Sequence, residues 1–258
     1  MSLDLTDRCV LVTGASSGIG RACVEAFAGL GCRLMLLARR ADRLQALAVE
    51  LETKHGTEVL TAVVDVRDRP AIETWFGGLP DGWRDIDILV NNAGLARGLT
   101  PLHEGEVSDW EEMIDTNIKG LLYVTRTVLP AMVDRGTGHV INIGSIAGHE
   151  VYPGGSVYCA TKHAVTAINR TLAIDTLGTG VRVSSVDPGL VETEFSLVRF
   201  HGDKQRAEGV YKGLEPLRGE DVADAVIFCA TRPRNANIRE LILTAGAQAS
   251  AVHTSRAS

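Results

Sequence analysis

The sequence predicts an α/β fold, one doubly wound parallel sheet flanked by helices on both faces. Three observations predict it. Short β-branched or aliphatic runs alternate with longer amphipathic segments along the 258 residues. The runs are apolar almost throughout, as strands covered on both faces require. No Pro/Gly/Ser-rich linker, internal repeat or low-complexity stretch divides the chain, whose length one α/β domain commonly occupies, so 1–258 is expected to form a single unit. Alternation of this kind implies right-handed crossovers and ligand binding beyond the carboxyl ends of the strands.

The first strand is expected at Cys9–Thr13 and the first helix at about 18–30. Between them lies Thr13-Gly14-Ala15-Ser16-Ser17-Gly18-Ile19-Gly20. Glycines at these spacings allow a tight turn and let backbone amides approach a pyrophosphate, while the helix start offers unpaired N–H groups and a positive dipole end. The spacing is Gly-x3-Gly-x-Gly rather than the familiar Gly-x-Gly-x2-Gly, and the strand–turn–helix setting is what points to a dinucleotide. The second strand, Arg33–Ala38, runs into Arg39-Arg40 with no acid until Asp42. An acid there would accept from a ribose 2′-hydroxyl; arginines pair a 2′-phosphate. NADP is therefore expected over NAD, the competing reading being two arginines that merely decorate a helix start.

A helix at 41–54, a strand at 58–64, a helix at 70–78 and a strand at 86–91 follow, the last ending Asn91-Asn92-Ala93-Gly94. A helix is expected at 108–133, carrying Asn117 in its interior, a poor helix former that needs a polar partner. The strand at 139–143 leads into Gly144-Ser145, a hydroxyl at the ligand-binding edge. In the helix at 156–178, Tyr158 and Lys162 stand four residues apart and so share a face. A phenol of ordinary pKa about 10 is a weak acid–base group at neutral pH; lowering it by about 3 units needs roughly 4 kcal/mol of phenolate stabilisation, which a neighbouring cation supplies. A strand at 182–186, a weakly periodic segment at about 189–219 with the length of a lid, a helix at 219–231 and a strand at 238–243 complete the order. The tail, 246–258, is small and polar, and its path is not readable.

Composition excludes several classes. A formal net charge of −6 argues against a nucleic-acid or anionic-membrane surface. No apolar run approaches the roughly 20 residues of a membrane span, and residues 1–7 carry acids rather than the apolar core of a signal peptide. Cys9, Cys23, Cys32, Cys159 and Cys229 are scattered without metal or redox spacing, as reduced thiols of a cytoplasmic protein would be. His139, His149 and His163 form no metal spacing and are read as structural or surface groups, and no metal is expected. Ser145 lacks the partners of a hydrolytic triad.

Together the glycine turn, Asn-Asn-Ala-Gly, helical Asn117, Ser145, Tyr158-x3-Lys162 and Asp187-Pro188-Gly189 resemble, in order and spacing, the short-chain dehydrogenase/reductase family, over nearly the whole chain. The resemblance implies a Rossmann-type fold and hydride transfer between NADP and an alcohol or carbonyl. It implies Tyr158 as proton donor and acceptor. Lys162 would bind the nicotinamide ribose and depress the phenol pKa, Ser145 would hold the substrate oxygen, and Asn117 a water relaying protons to Lys162. Cofactor contacts would come from Gly14, Ser16, Ser17, Gly18, Ile19 and Gly20, from Arg39 and Arg40, and from Asp65 and Val66 beside the adenine. Asn92, Ala93 and Gly94 would line it, with Pro188, Gly189, Val191 and Thr193 round the nicotinamide. Family members pair their two long helices into dimers and tetramers. Leu121, Leu122, Val124, Val128, Leu129 and Met132 put apolar groups on more than one face of the first of these helices, so a homotetramer or dimer is expected.

Within the family the chain is similar to NADP-dependent 3-hydroxy acid dehydrogenases, which act on serine, allo-threonine or 3-hydroxypropanoate/malonic semialdehyde. The likeness is carried by Asp87 to Ala96, Trp110 to Asn117 and, most specifically, Gly189-Leu190-Val191-Glu192-Thr193-Glu194-Phe195-Ser196-x2-Arg199-Phe200-x-Gly202-Asp203. A hydroxy acid needs a cation for its carboxylate. Arg199 is the first candidate and Lys204 the second, against the reading of Arg199 as a solvated or subunit-contact residue. Reduction of another aldehyde or ketone, and a non-catalytic NADP-binding sensor, are the competing functions.

Overall fold

The computed structural model describes residues 3–257. Seven strands form one parallel sheet: β1 (Cys9–Thr13), β2 (Arg33–Ala38), β3 (Val59–Val63), β4 (Ile88–Asn91), β5 (Gly138–Ile143), β6 (Val181–Pro188) and β7 (Glu240–Leu243), in the order β3-β2-β1-β4-β5-β6-β7. The direction of winding reverses between β1 and β4, which opens a crevice beyond their carboxyl ends. Each face of the sheet carries its own core, because successive side chains of a strand point to opposite sides. Val10 and Val12 of β1 and Leu34 and Leu36 of β2 meet helices α1 (Gly18–Ala28), α2 (Ala41–His55) and α9 (Gly219–Ala230). Cys9 and Leu11, with Met35 and Leu37, meet α3 (Arg69–Gly77) and α5 (Leu121–Asp134) on the other side.

These helices, α6 (Ser156–Asp175) and all seven strands end within three residues of the expected positions. The expected helix at 108–133 is not one regular helix. It is α4 (Val107–Ile114), a wide π-helical turn at Asp115–Gly120, and α5. The turn buries Thr116, Asn117 and Gly120, and a Cβ at Gly120 would collide with the Val66 side chain. An apolar period cannot reveal the turn, since the period resumes on its far side.

The segment 189–219 contains α7 (Phe195–Arg199) and α8 (Lys204–Gly209), and its two ends are tied by a bridge between Val191 and Leu217. The tail doubles back along it: Gln248 Oε1 accepts from Leu190 N at 2.8 Å, and Ala257 N donates to Gly213 O at 2.7 Å. Met1, Ser2 and Ser258, the ends of the segments read from sequence as leaderless and as a polar tail, lie outside the described residues. All five cysteines are buried and unpaired. Among the described residues no helix is long and apolar enough to cross a membrane, and no cluster of potential ligands could hold a metal ion.

Candidate active site

The turn after β1 bends through Gly14 (φ 65°) and Gly18 (φ 52°), left-handed conformations that a side chain would strain. At Gly20 a Cβ would collide with the Gly14 carbonyl. The neighbouring β4 loop locks onto this turn. Thr13 Oγ1 accepts from the backbone N–H of Asn92 and of Ala93, each at 3.0 Å, and Asn92 Nδ2 donates to Thr13 O at 2.9 Å. Helix α1 starts there with no side-chain cap and no acid in its first turn. Its first amides therefore face the cleft unanswered, a donor set suited to a pyrophosphate.

Every residue expected to contact the cofactor except Gly20 lines this cleft, from Gly14 through Arg39, Asp65 and Gly94 to Lys162 and Thr193. Gly20 sits behind, where it admits the close approach of turn and loop. The two arginines are not equivalent. Arg40 is engaged: it donates to Ser17 Oγ at 2.7 Å and to Glu194 Oε2 at 2.9 Å, while Arg43 also reaches Glu194 at 2.9 Å. Hydrogen bonding to these guanidiniums holds the Glu194 carboxyl below its usual range. Arg39 is 54% exposed, and its nearest carboxylate oxygens, on Asp65 and Glu112, stand at 3.9 and 4.0 Å. Arg39 is the freer group for a 2′-phosphate.

At the other end of the cleft α6 brings up Tyr158 and Lys162, both buried. Lys162 Nζ donates to Ile143 O at 2.9 Å. Burial pulls the ammonium down to about 8, opposed by the charge of Asp187. Burial raises the Tyr158 phenol above its ordinary value, opposed by the Arg199 guanidinium and by hydrogen bonding with Ser145. Ser145 Oγ accepts from Ala147 N at 3.1 Å and lies 3.4 Å from Pro188 O. Asn117 finds the polar partners its mid-helix position demanded. It exchanges both amide bonds with the Leu95 backbone, at 2.9 and 2.8 Å, and donates to Thr161 Oγ1 at 3.0 Å. At Gly94 a Cβ would stand 3.3 Å from Asn117 Oδ1 and 3.7 Å from Lys162 Nζ, so glycine keeps the space between them open.

Arg199, at the end of α7, is turned inward. Its Cζ lies 5.1 Å from the Tyr158 ring centre, 5.4 Å from Phe195 and 5.6 Å from Tyr152, and Nη2 donates to the Tyr152 hydroxyl at 2.6 Å. No carboxylate among the described residues lies within 4.0 Å of it, and its Nε is buried without a partner. Neither Arg199 nor Lys204 is among the residues lining the cleft itself, and Lys204 is exposed at the start of α8. Residues 8–203 match the short chain dehydrogenase family model.

The chain belongs to the short-chain dehydrogenase family. The NADP-dependent 3-hydroxy acid dehydrogenase YdfG of Salmonella typhi is 53% identical over 230 residues, 89% of this chain and 91% of that protein. A protein named NADP-dependent 3-hydroxy acid dehydrogenase in Schizosaccharomyces pombe is 44% identical over 253 residues, 98% of each chain. Among solved structures, the closed form of a serine dehydrogenase complexed with NADP+ superposes with a TM-score of 0.90 at 47% identity, covering 97% of this chain and all of the other.

Several groups of this short-chain dehydrogenase site escaped the sequence reading. Glu194 and Phe195 stand in the lid run that carried the resemblance, yet neither shows its partner in sequence, since Arg40 lies 154 positions from Glu194. Tyr152 carries no sequence signal. His149, read as structural, is joined by Nε2 to Asp187 Oδ2 at 2.8 Å. His139 and His163 are structural as expected: His139 Nε2 meets Ser184 Oγ at 2.8 Å and His163 Nδ1 meets Cys159 O at 2.9 Å.

Proposed function

We propose that the chain is an NADP-dependent dehydrogenase of small 3-hydroxy acids such as serine, allo-threonine or 3-hydroxypropanoate. One observation carries the substrate class: the Arg199 guanidinium stands beside the Tyr158 ring, and no carboxylate among the described residues lies within 4.0 Å to neutralise it. A cation held between aromatic rings in a largely dry site gains most from an anionic partner, and guanidinium matches a carboxylate bidentately. The names of the two curated relatives support the same reading.

The bound NADP would supply or accept the hydride. Tyr158 takes the proton of the substrate hydroxyl in oxidation and returns it in reduction. Lys162, as an ammonium, favours the phenolate, and Ser145 holds the substrate oxygen within reach of the phenol. Asn117 keeps the β4 loop in place, and the open space beside Gly94 supports a water at the Lys162 end of the proton path. Ser16, Ser17, Gly18 and Ile19 cradle the pyrophosphate, Arg39 and Arg40 the 2′-phosphate, and Asp65 and Val66 the adenine. The stretch from Pro188 to Thr193 covers the nicotinamide as part of a lid at 189–219.

Association into a homodimer or tetramer fits the apolar groups left in solvent along α4–α5 and α6, Ile114, Leu122 and Ile174 among them. Five buried unpaired thiols fit the reducing cytoplasm. The test is to mix the protein with NADP and L-serine, L-allo-threonine or 3-hydroxypropanoate at several values from about pH 7 to about pH 9 and follow reduced nicotinamide. NAD runs in parallel, with Tyr158→Phe as control. NADP-dependent turnover that vanishes in the variant is expected. Activity confined to uncharged alcohols would discard the hydroxy acids, and a preference for NAD would overturn the reading of Arg39 and Arg40.

A further inference from the structure

Behind the reacting groups lies a buried acid that the reaction as described does not use. Asp187, near the end of β6, has no exposed surface. One carboxylate oxygen accepts from the Ser185 hydroxyl and the other from His149 Nε2 at 2.8 Å. A carboxylate sealed from water is costly unless donors and an opposite charge compensate it. The backbone is shaped around this one: a Cβ at Gly144 would collide with Asp187 Oδ1, so glycine is needed at 144 while the carboxylate stays. Gly144 lies between Ile143, whose carbonyl anchors Lys162 Nζ, and Ser145. In the sheet Ile143 pairs with Val186, which brings Asp187 level with Gly144, behind that anchor.

We propose that Asp187, held by His149 and Ser185, is the buried counter-charge that keeps Lys162 an ammonium while the enzyme works. The proposal rests on the reading of Lys162 as the cation beside Tyr158. Asp187 acts through Lys162, so it is a positioning residue. Charged groups near the pair include Arg170 of α6 and Glu240 of β7, and Glu150 follows His149 in the chain. Arg170 is committed to Glu240 by bonds of 2.6 and 2.9 Å, and Glu150 accepts from Ala251 N at 2.7 Å. The charge of Asp187 opposes the effect of burial on Lys162. His149 donates from Nε2 and so favours the ionised carboxylate, against the burial that raises the Asp187 carboxyl above its usual range.

The experiment compares kcat/KM for alcohol oxidation across pH in the wild type, Asp187→Asn and His149→Gln. On the alkaline side the rate falls as Lys162 loses its proton. Asp187→Asn keeps shape and hydrogen-bonding capacity but removes the charge, and should move the falling limb down by about half to one pH unit. His149→Gln retains a donor toward Asp187 and should leave that limb in place. Should the Asn variant not fold, Asp187→Ser, smaller and also neutral, is read in the same way. A falling limb in the neutral variant that coincides with the wild type, whatever the height of the rate, overturns the proposal alone, provided Lys162→Met is inactive. Wild-type turnover in Lys162→Met overturns the proposal together with the reading on which it rests.

Discussion

Arg199 joins the segment 189–219 to Tyr158 through a single side chain. Its nitrogen is fixed by the Tyr152 hydroxyl and its plane by three aromatic rings, so the charge arrives oriented beside Tyr158. Replacing Arg199 with Leu removes a charge-assisted contact that is typically worth about 2–3 kcal/mol, so kcat/KM for hydroxy acids should fall roughly 30- to 150-fold. Uncharged alcohols of similar size should change by only a few fold. Equal losses on both substrates would show that Arg199 serves the fold and not the substrate. Tyr152→Phe leaves the guanidinium in place without its positioning bond, and should raise KM for the same acids more than it lowers kcat. At the far end of the cleft, Arg39 is the arginine with exposed donors to give. Arg39→Leu should weaken NADPH binding by about tenfold or more while NADH binding holds, measured by nicotinamide fluorescence.

At the scale of elements, the segment 189–219 and the start of α2 meet through Glu194, which bridges Arg40 and Arg43. These partners are about 40% exposed, so the pair stabilises the fold little, yet Arg40 and Glu194 both line the cleft proposed to hold the cofactor. Glu194→Gln should speed NADPH release several-fold in stopped-flow displacement with little change in melting temperature; an unchanged release rate would remove the bridge from that step. The elements themselves were largely legible. The strands are apolar runs bounded by turn residues, and the turn after β1 shows its glycines, so β1, α1 and the loop after β4 could be located together with the residues that line the cleft. The π-helical turn at Asp115–Gly120 was not legible, because it interrupts the helix without breaking its apolar period. The two short helices of the segment 189–219, α7 and α8, were also missed; segments of 5 and 6 residues are too short to show a period, and they are held from outside, α7 by Arg97 and Tyr152 and the end of α8 by Arg256. Pairs such as His149 with Asp187 or Arg40 with Glu194 join residues whose nearness only the fold creates.

For the molecule as a whole, the sheet's interior sets the response to acid. His139 is buried between β5 and β6 with Nδ1 unpartnered, and burial pulls its pKa from 6.5 down to about 3. The folded protein thus refuses a proton that the unfolded chain accepts below pH 6.5. The stability tied to neutral His139 is fully present above that value and is lost as pH falls toward 3. At pH 5 the loss is about 2 kcal/mol, which in a protein of this size is roughly 5 °C in melting temperature. His139→Gln should flatten this dependence between pH 7 and 5, and identical slopes in both proteins would assign acid sensitivity elsewhere. The same sealed interior holds all five thiols, with burial lifting Cys9, Cys23 and Cys32 to about 12 and Cys229 to about 11. Since a thiolate is the species that reacts, the native protein should be inert to alkylating reagents. Labelling then marks the moment a given layer opens. Five cysteines, in α1, α6, α9 and β1 and at the residue before β2, become a set of built-in clocks, from which the order of local unfolding can be timed without adding a single probe.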